Sequence, residues 1–369
     1  MDRKQAVKNT KRAVIKIGSQ LLEKNGQIDT DFVKNLSSNI KHLQSRGIEP
    51  VIVSSGAVLA GVKKLGLKKK PTSITEKQAV ASVGQAYLMQ IYDQIFSENG
   101  QIIGQILLTI EGLRERKRYV LAQNTINKLI EMGVIPIVNE NDTIAVDEIV
   151  FGDNDFLAAH VSVLIGADLL VILSTAGGVY TKSPEEEDSQ LILEIKEIDK
   201  ALQYAKASTS KFGTGGMRSK LEAAKIAVSH QIPVVIAPKE KDILLKIFDG
   251  ELAGTFIHPQ KERKLTKKKS WLKLLSAPKG RIIVDKGAEK ALKEGKSLLP
   301  AGIIDVEGIF SKNDVVAIVS EEGQIIGKGI VNYSSKELKK VKRKKSAEVE
   351  RILNKKFTEV VHTDNLVVF

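Results

Sequence analysis

The sequence predicts an α/β protein, a three-layer sandwich around a mostly parallel central sheet, followed by a small β-rich C-terminal domain. Short, nearly continuous apolar runs alternate with amphipathic helical stretches in the first 258 residues, the pattern of strands buried under helices on both faces. After Pro259 a lysine-rich stretch leads into short β-type runs separated by turn glycines. We therefore assign residues 1–258 to the α/β domain, 259–277 to a basic linker and 278–369 to the β-rich domain.

Length and composition narrow the class of protein. A chain of 369 residues is longer than a single hydrophobic core usually supports, so we expect two domains. Its content of 42% apolar and 27% charged residues is ordinary for a globular protein. No apolar run approaches the ~18 residues of a membrane span, and the basic, polar start is not a secretory signal. The chain has no cysteine, which excludes disulfides, zinc–thiolate sites, iron–sulfur clusters and thiol nucleophiles. We expect a cytoplasmic protein without a membrane partner.

The net charge of +13 is unevenly distributed. The first 258 residues are nearly neutral, and the excess lies in the linker and the C-terminal domain. Such asymmetry fits a nucleic-acid contact, but it also fits a solvated linker and an exposed helix.

Six apolar runs predict the strands of the parallel sheet. Helices are predicted for Thr30–Arg46, with Asp29 or Thr30 as the N-cap, and near 75–97, 113–132, 154–166 and 217–230. The predicted strands are 12–17, 50–54, 102–109, 134–139, 168–174 and 232–237. In this architecture ligands bind at the carboxyl ends of the strands.

The β-rich domain is predicted from short runs at 281–284, 315–319 and 325–330. A charged helix near 335–354 is expected to close it.

Two of four candidate motifs favour anion binding. Lys16-Ile17-Gly18-Ser19 places an ammonium and backbone N–H groups at the end of the first strand, as phosphate oxygens require. Ser54-Ser55-Gly56-Ala57 begins a helix after the second strand. The alternative for the first motif is an edge lysine beside a turn, and the alternative for the second is an ordinary serine N-cap.

The third motif is a polar cluster at the same sheet edge. Asn139-Glu140-Asn141-Asp142 follows a strand, and Phe151-Gly152-Asp153-Asn154-Asp155 comes about ten residues later. Crowding these groups costs free energy unless a cation binds there, either a substrate ammonium, a lysine or Mg²⁺. A solvated acidic loop is the alternative.

The fourth motif is a glycine-rich helix start. The run 213–220, Gly-Thr-Gly-Gly-Met-Arg-Ser-Lys, lets backbone amides surround a polyphosphate and places Lys220 one turn into the helix. It is neither a Walker A motif nor a dinucleotide fingerprint.

Together these motifs indicate phosphoryl transfer. Two lysines and loop amides neutralise charge on the transferring group, while Mg²⁺ bridges nucleotide oxygens. The five histidines are scattered without triad or ligand spacing, so an acceptor already ionised at neutral pH, a carboxylate or a phosphate, suits the site.

Five motifs in this order resemble those of the glutamate 5-kinases, a family of the amino acid kinase superfamily, and the similarity covers residues 10–360. The tail resembles the PUA domain, an RNA-binding module elsewhere. The motifs are Val14–Ser19, Val53–Ala57, Asn139–Asp142, Gly152–Asp155 and Gly213–Met217.

The resemblance implies a role for each motif. Lys16 and Lys220 would hold ATP phosphates, with Asp155 orienting both lysines, and no residue is expected to be a dedicated metal ligand. Ser55, Asp142 and Asn154 would bind glutamate, with the Asp142 carboxylate on its ammonium. Family members carry Thr-Asp after the fifth strand, where this chain has Ser174-Thr175-Ala176-Gly177-Gly178. The implied ATP-binding residues are Lys16, Ser174, Thr175, Thr214, Gly215, Gly216, Met217, Arg218, Ser219 and Lys220.

The implied reaction is phosphorylation of the γ-carboxylate of L-glutamate by ATP with Mg²⁺, the first step of proline synthesis. The resemblance further implies a homo-oligomer (a dimer or tetramer), inhibition by proline and a glutamyl phosphate reductase as partner. A related kinase of another carboxylate, and an RNA-binding protein using Lys339, Lys340 and the run 342–345, are the alternatives. The tail has few aromatic residues that could stack on bases, Phe310 and Tyr333 among them. A structural or oligomer-modulating role is therefore favoured over RNA binding.

Overall fold

A computed structural model describes residues 2–145, 154–183, 185–207, 216–251, 253–260 and 265–369. These residues form two compact units, Met1–Leu113 with Lys117–Lys264, and Arg114–Arg116 with Leu265–Phe369. The main division between Lys264 and Leu265 falls inside the predicted linker, whose precise ends stay a prediction. In the described residues no helix has both the length and the apolar character to cross a membrane.

The first unit is built on an eight-stranded sheet in the order β10-β12-β11-β7-β1-β4-β6-β5. The six strands from β11 to β5 are all parallel, β12 joins β11 antiparallel, and β10 pairs parallel to β12 at the edge. The predicted mostly parallel sheet is therefore confirmed. In chain order the strands are β1 (Arg12–Ile17), β2 (Glu23–Lys24), β3 (Gln27–Ile28), β4 (Glu49–Val53), β5 (Ile103–Leu108), β6 (Ile135–Glu140), β7 (Leu169–Leu173), β8 (Val179–Tyr180), β9 (Leu191–Ile192), β10 (Glu194–Ile195), β11 (Val234–Ala237) and β12 (Thr255–Ile257).

Helices cover this sheet, because its central strands carry apolar side chains on both faces. Asp29 is the N-cap of α2 and accepts a hydrogen bond from the Phe32 amide at 3.1 Å, which selects one of the two predicted caps. The helices are α1 (Arg3–Lys8), α2 (Thr30–Ser45), α3 (Ala57–Lys64), α4 (Ile74–Glu98), α5 (Ile110–Arg114), α6 (Arg116–Glu131), α7 (Asp155–Ile165), α8 (Ile198–Ala207), α9 (Met217–Val228) and α10 (Ile243–Phe248).

Helices α3 and α4 pack against each other through two glycines. A Cβ on Gly61 would lie 2.0 Å from the Val80 carbonyl oxygen, and one on Gly84 would lie 1.8 Å from the Ala57 carbonyl oxygen. Only glycine permits such an approach of two helix backbones. The contact fixes α3, and with it the Ser55-Gly56 turn that begins this helix.

The second unit has its own sheet and its own apolar core. The sheet order is β14-β13-β15-β16-β17. Phe310 and Tyr333 lie inside this core and are 3% and 0% exposed, so neither ring is available for stacking on a base. The elements are α11 (Lys267–Leu274), β13 (Gly280–Val284), α12 (Lys286–Lys293), β14 (Ile303–Gly308), β15 (Val315–Val319), β16 (Ile325–Ile330), α13 (Ser335–Val341), α14 (Ser346–Leu353) and β17 (Leu366–Val368).

Two helix predictions need correction. The single helix predicted near 335–354 is two helices, because Arg343 has a left-handed φ of 63° and its amide bonds the Pro300 carbonyl at 2.9 Å. The helix predicted near 113–132 is likewise divided, between Arg114 and Arg116. Periodicity alone does not reveal these breaks, since the helices on either side keep their apolar spacing.

Candidate active site

Two lysines converge on one buried carboxylate at the carboxyl ends of β1 and β7. The Lys16 Nζ lies 2.6 Å from Asp155 Oδ1, and the Lys220 Nζ lies 2.9 Å from Asp155 Oδ2. The side chains of Lys16 and Asp155 are 1% and 0% exposed, and that of Lys220 is 8% exposed. The structure thus brings together three residues that are far apart in the sequence.

Each of the three is held by a regular element. Lys16 is on β1 between two parallel neighbours, β4 and β7. Asp155 is the first residue of α7, where the helix dipole favours a carboxylate, and Lys220 is in the first turn of α9. Two ammonium groups held side by side at this position suit an anionic ligand such as a polyphosphate.

Asn154, next to Asp155, connects this centre to β4 and β6. Its Nδ2 donates to the Ser54 carbonyl oxygen at 2.6 Å and to Asn139 Oδ1 at 2.7 Å. Asn139 and Glu140 belong to β6 itself and are 2% and 3% exposed, so the polar cluster is partly interior rather than a solvated loop. Buried amides of this kind are tolerated because they bond one another.

Helix α4 supplies three further polar side chains at a spacing of seven residues. Gln78 donates to the Ala145 carbonyl at 3.2 Å, Gln85 accepts from Asn139 Nδ2 at 2.6 Å, and the Tyr92 hydroxyl is 3.1 Å from Ser54 Oγ. Burial raises the pKa of Tyr92 to about 12, so its hydroxyl stays protonated. The sequence analysis did not predict a role for these three residues. The seven-residue spacing of two glutamines and a tyrosine, which places them on one face of the helix, could have indicated it.

A cavity of about 340 Å³ adjoins this network. Ser55, Asp142 and Asn154, the three predicted substrate residues, all line it, together with Gln20 and Gly56. The Ser55 hydroxyl is buried without a hydrogen-bond partner in the described part of the chain, so it is free to bond a ligand. The N-terminal end of α3 borders the same space and adds backbone N–H groups.

Asp142 lines this cavity and has a perturbed pKa. Burial raises the pKa of its carboxyl to about 6, because the charged form loses hydration. At neutral pH the group is still mostly ionised, and a cationic ligand would strengthen that state. A substrate ammonium is such a ligand.

The predicted nucleotide residues are only partly described. Gly213, Thr214, Gly215, Gly152 and Asp153 lie outside the described residues. Gly216 is the N-cap of α9, Met217 and Ser219 are half-buried in its first turn, and Arg218 pairs with Glu222 at 2.9 Å. After β7, Ser174 is buried and accepts from the Ala176 amide, and Thr175 lies 3.4 Å from Gln20 Oε1.

Two protein-family models match this chain. Residues 11–238 match the model of the amino acid kinase family, and residues 280–353 match that of the PUA domain. A protein of Aquifex aeolicus named glutamate 5-kinase is 50% identical over 361 residues, covering 97% of this chain and 99% of its own. A second, from Carboxydothermus hydrogenoformans, is 45% identical and covers 99% of each chain.

The chain belongs to the amino acid kinase family. Both of these relatives match along nearly its whole length and carry the name glutamate 5-kinase, so the resemblance shown by the motifs is confirmed. Among solved structures, carbamate kinase from Giardia lamblia bound to AMP-PNP aligns with a TM-score of 0.50 and 15% identity, over 69% of this chain and all of its own. At that identity the likeness concerns the fold, and it confirms the amino acid kinase architecture of the first unit.

Proposed function

We propose that this member of the amino acid kinase family transfers the γ-phosphoryl group of ATP to the γ-carboxylate of L-glutamate, giving ADP and L-glutamyl 5-phosphate. The observation that supports it most is the pair of buried lysines on Asp155 beside a cavity lined by Ser55, Asp142 and Asn154. The full-length relatives named glutamate 5-kinase support the choice of substrate.

The chemistry follows from the charges. A carboxylate oxygen of the substrate attacks the γ-phosphorus, the bond from phosphorus to the bridging oxygen of ADP breaks, and ADP leaves. Lys16 and Lys220 lower the barrier by neutralising charge on the transferring group, and Asp155 keeps both ammonium groups in place. A carboxylate is already ionised at neutral pH, so no general base is required.

ATP and Mg²⁺ are the implied cofactors. Within the described ranges no group of three or more His, Asp or Glu residues could hold a metal. The described residues are compatible with Mg²⁺ that is bound mainly through the nucleotide phosphates, which is its usual mode of binding in kinases. The ion would supply charge neutralisation of the phosphate oxygens. The expectation that the chain supplies no dedicated metal ligand stays a prediction.

The decisive test is ADP release with Mg²⁺-ATP and a panel of acceptors: glutamate, aspartate, acetylglutamate, carbamate and UMP. Hydroxylamine is included because it converts an acyl phosphate into a stable hydroxamate. We expect glutamate-dependent turnover and the γ-hydroxamate. Turnover with another acceptor only would assign the chain to a different substrate, and no turnover with any would contradict a kinase.

RNA is a second candidate ligand, because the second unit matches the PUA domain. The burial of Phe310 and Tyr333 disfavours base stacking, so we infer contact mainly between phosphates and the exposed lysines around Arg343. Oligomerisation as a dimer or tetramer, inhibition by proline, coupling to a glutamyl phosphate reductase and a cytoplasmic location stay predictions.

A further inference from the structure

One basic side chain in the substrate cavity has no role in the assignments above. Lys77 is half-buried in the first turn of α4 and lines the cavity together with Ser55, Asp142 and Asn154. In the described ranges its ammonium has no hydrogen bond or ion pair with another side chain. Lys70 is the other lysine that lines this cavity, and it is exposed.

The position of Lys77 is fixed from both sides. Ser73 and Glu76 form a reciprocal capping box that holds the first turn of α4. The next residue, Gln78, donates to the Ala145 carbonyl at 3.2 Å, three residues beyond Asp142. The helix start that carries Lys77 and the segment that carries Asp142 are therefore tied together at one end of the cavity.

Helix stability does not explain a lysine at this place. The N-terminus of a helix carries partial positive charge, so a cation in the first turn is unfavourable there. A nearby acidic partner would offset this cost, but Glu76 is engaged with the Ser73 and Thr72 amides. Three other carboxylates line the cavity, and in the described residues none of them forms an ion pair with Lys77: Glu23, Glu140 and Asp142. A ligand carboxylate would supply such a partner.

The proposed substrate has one charged group left to place. Its γ-carboxylate points toward Asn154 and the lysine pair, where phosphoryl transfer occurs, and its ammonium faces Asp142. The α-carboxylate is bonded to the same carbon as the ammonium, so it must lie beside Asp142. Resting on the proposed function, we propose that Lys77 binds the α-carboxylate of glutamate and thereby selects an α-amino acid as the phosphoryl acceptor.

Lys77→Met tests this pairing with substrates that lack one group at a time. We expect the KM for glutamate to rise about 10- to 100-fold, the range expected from losing a hydrogen bond to a charged group. The KM for ATP should stay within about two-fold of the wild-type value.

Two competitive inhibitors separate the charged groups of the substrate. Glutarate keeps both carboxylates, so its binding should weaken as much as that of glutamate. In contrast, 4-aminobutyrate lacks the α-carboxylate, so its Ki should not change. Lys77→Arg should restore part of the affinity.

Two matched variants and a stability measurement complete the test. Lys63→Met removes an exposed lysine of α3 that does not line this cavity and should leave all constants unchanged. The melting temperature of Lys77→Met should equal or exceed that of the wild type, because the helix loses an unfavourable charge. An unchanged glutamate KM, equal weakening of glutamate and 4-aminobutyrate, or a selective loss in Lys70→Met instead would overturn the assignment. A wild-type protein that does not use glutamate would instead refute the proposed function, and this assignment with it.

Discussion

Lys16 and Lys220 place two ammonium groups against the Asp155 carboxylate in a nearly dry environment. Burying charged groups carries a desolvation penalty, so this arrangement costs stability. Incoming phosphates would bring negative charge to both ammonium groups. The residues that cost stability in the empty protein are thus the ones expected to stabilise the transition state.

We predict that Lys16→Met and Lys220→Met each reduce kcat by about 10²- to 10³-fold at saturating substrates, the loss typical of a removed transition-state donor. The measurement is steady-state ADP release with glutamate. Lys225→Met is the matched control, because this lysine lies on the same helix but pairs with Asp199 at the surface. Near-normal kcat in either active-site variant would contradict the assigned roles.

Asp142 gives the site a predictable pH dependence. Its pKa is raised to about 6, so the carboxyl is charged above that pH and neutral below it. We expect kcat/KM for glutamate, at saturating ATP, to fall about ten-fold per pH unit below pH 6, because a neutral carboxyl no longer attracts the substrate ammonium.

Ionisation of Asp142 favours glutamate binding, but it lowers the stability of the folded protein. A carboxyl whose folded pKa lies above its ordinary 3.8 favours folding more when protonated, so this group alone lowers the stability of the protein as the pH rises from 3.8 to about 6, and the full loss is present above that pH. Asp142→Asn should therefore raise the glutamate KM, remove the acid limb of the pH profile and leave the melting temperature at pH 7 unchanged or higher. An acid limb that persists in Asp142→Asn would assign the titration to another group.

The packing of α3 against α4 determines where the substrate residues of the α3 turn lie. Gly84→Ala would place a methyl group 1.8 Å from the Ala57 carbonyl oxygen, so the two helices must separate. Overpacking usually costs about 1–3 kcal/mol, and contact with backbone on a second helix favours the upper end. We expect a lower urea midpoint together with a raised glutamate KM.

Ser82→Ala is the control for that experiment. Ser82 is exposed on the same helix, and among the described residues its hydroxyl bonds only the Ala79 carbonyl, at 2.7 Å. Its urea midpoint should match that of the wild type. If Gly84→Ala unfolds at the wild-type urea concentration, the close helix contact does not contribute to stability as described.

The comparison of sequence with structure is clearest for individual elements. The six parallel strands and the start of α2 were predictable, because buried strands and capping residues leave local signals, although the sequence left Asp29 and Thr30 open as the N-cap. The break at Arg343 was not, since it depends on a hydrogen bond to Pro300, far away in the sequence. In the candidate site, Lys16, Asp155 and Lys220 were predicted from their motifs and the structure brings them together, while their roles stay predictions. Gln85 and Tyr92 were not predicted, because their hydrogen-bond partners lie on other elements, far away in the sequence.

The two units of the molecule have separate apolar cores and carry different charge. The described residues that are predicted to take part in phosphoryl transfer belong to the first unit, and the exposed lysines of the connection between α13 and α14 belong to the second. Acidic partners satisfy only some of these cations: Lys342 pairs with Asp305 at 2.7 Å and Lys344 with Glu348 at 3.6 Å. Exposed pairs of this type contribute little to stability, which leaves the positive field available to an external anion.

This separation predicts independent effects on RNA and on glutamate. Replacing Lys339, Lys340 and Lys345 by glutamine in the full chain should weaken binding of a single-stranded RNA and reduce its salt dependence. Each lost phosphate contact lowers the slope of log K against log [salt] by about 0.7. The kcat for glutamate should stay within about two-fold, because no predicted site residue is changed. Absence of RNA binding by the wild type even at low salt would discard the RNA ligand, and a concurrent fall in kcat would instead give the second unit a role in the kinase reaction.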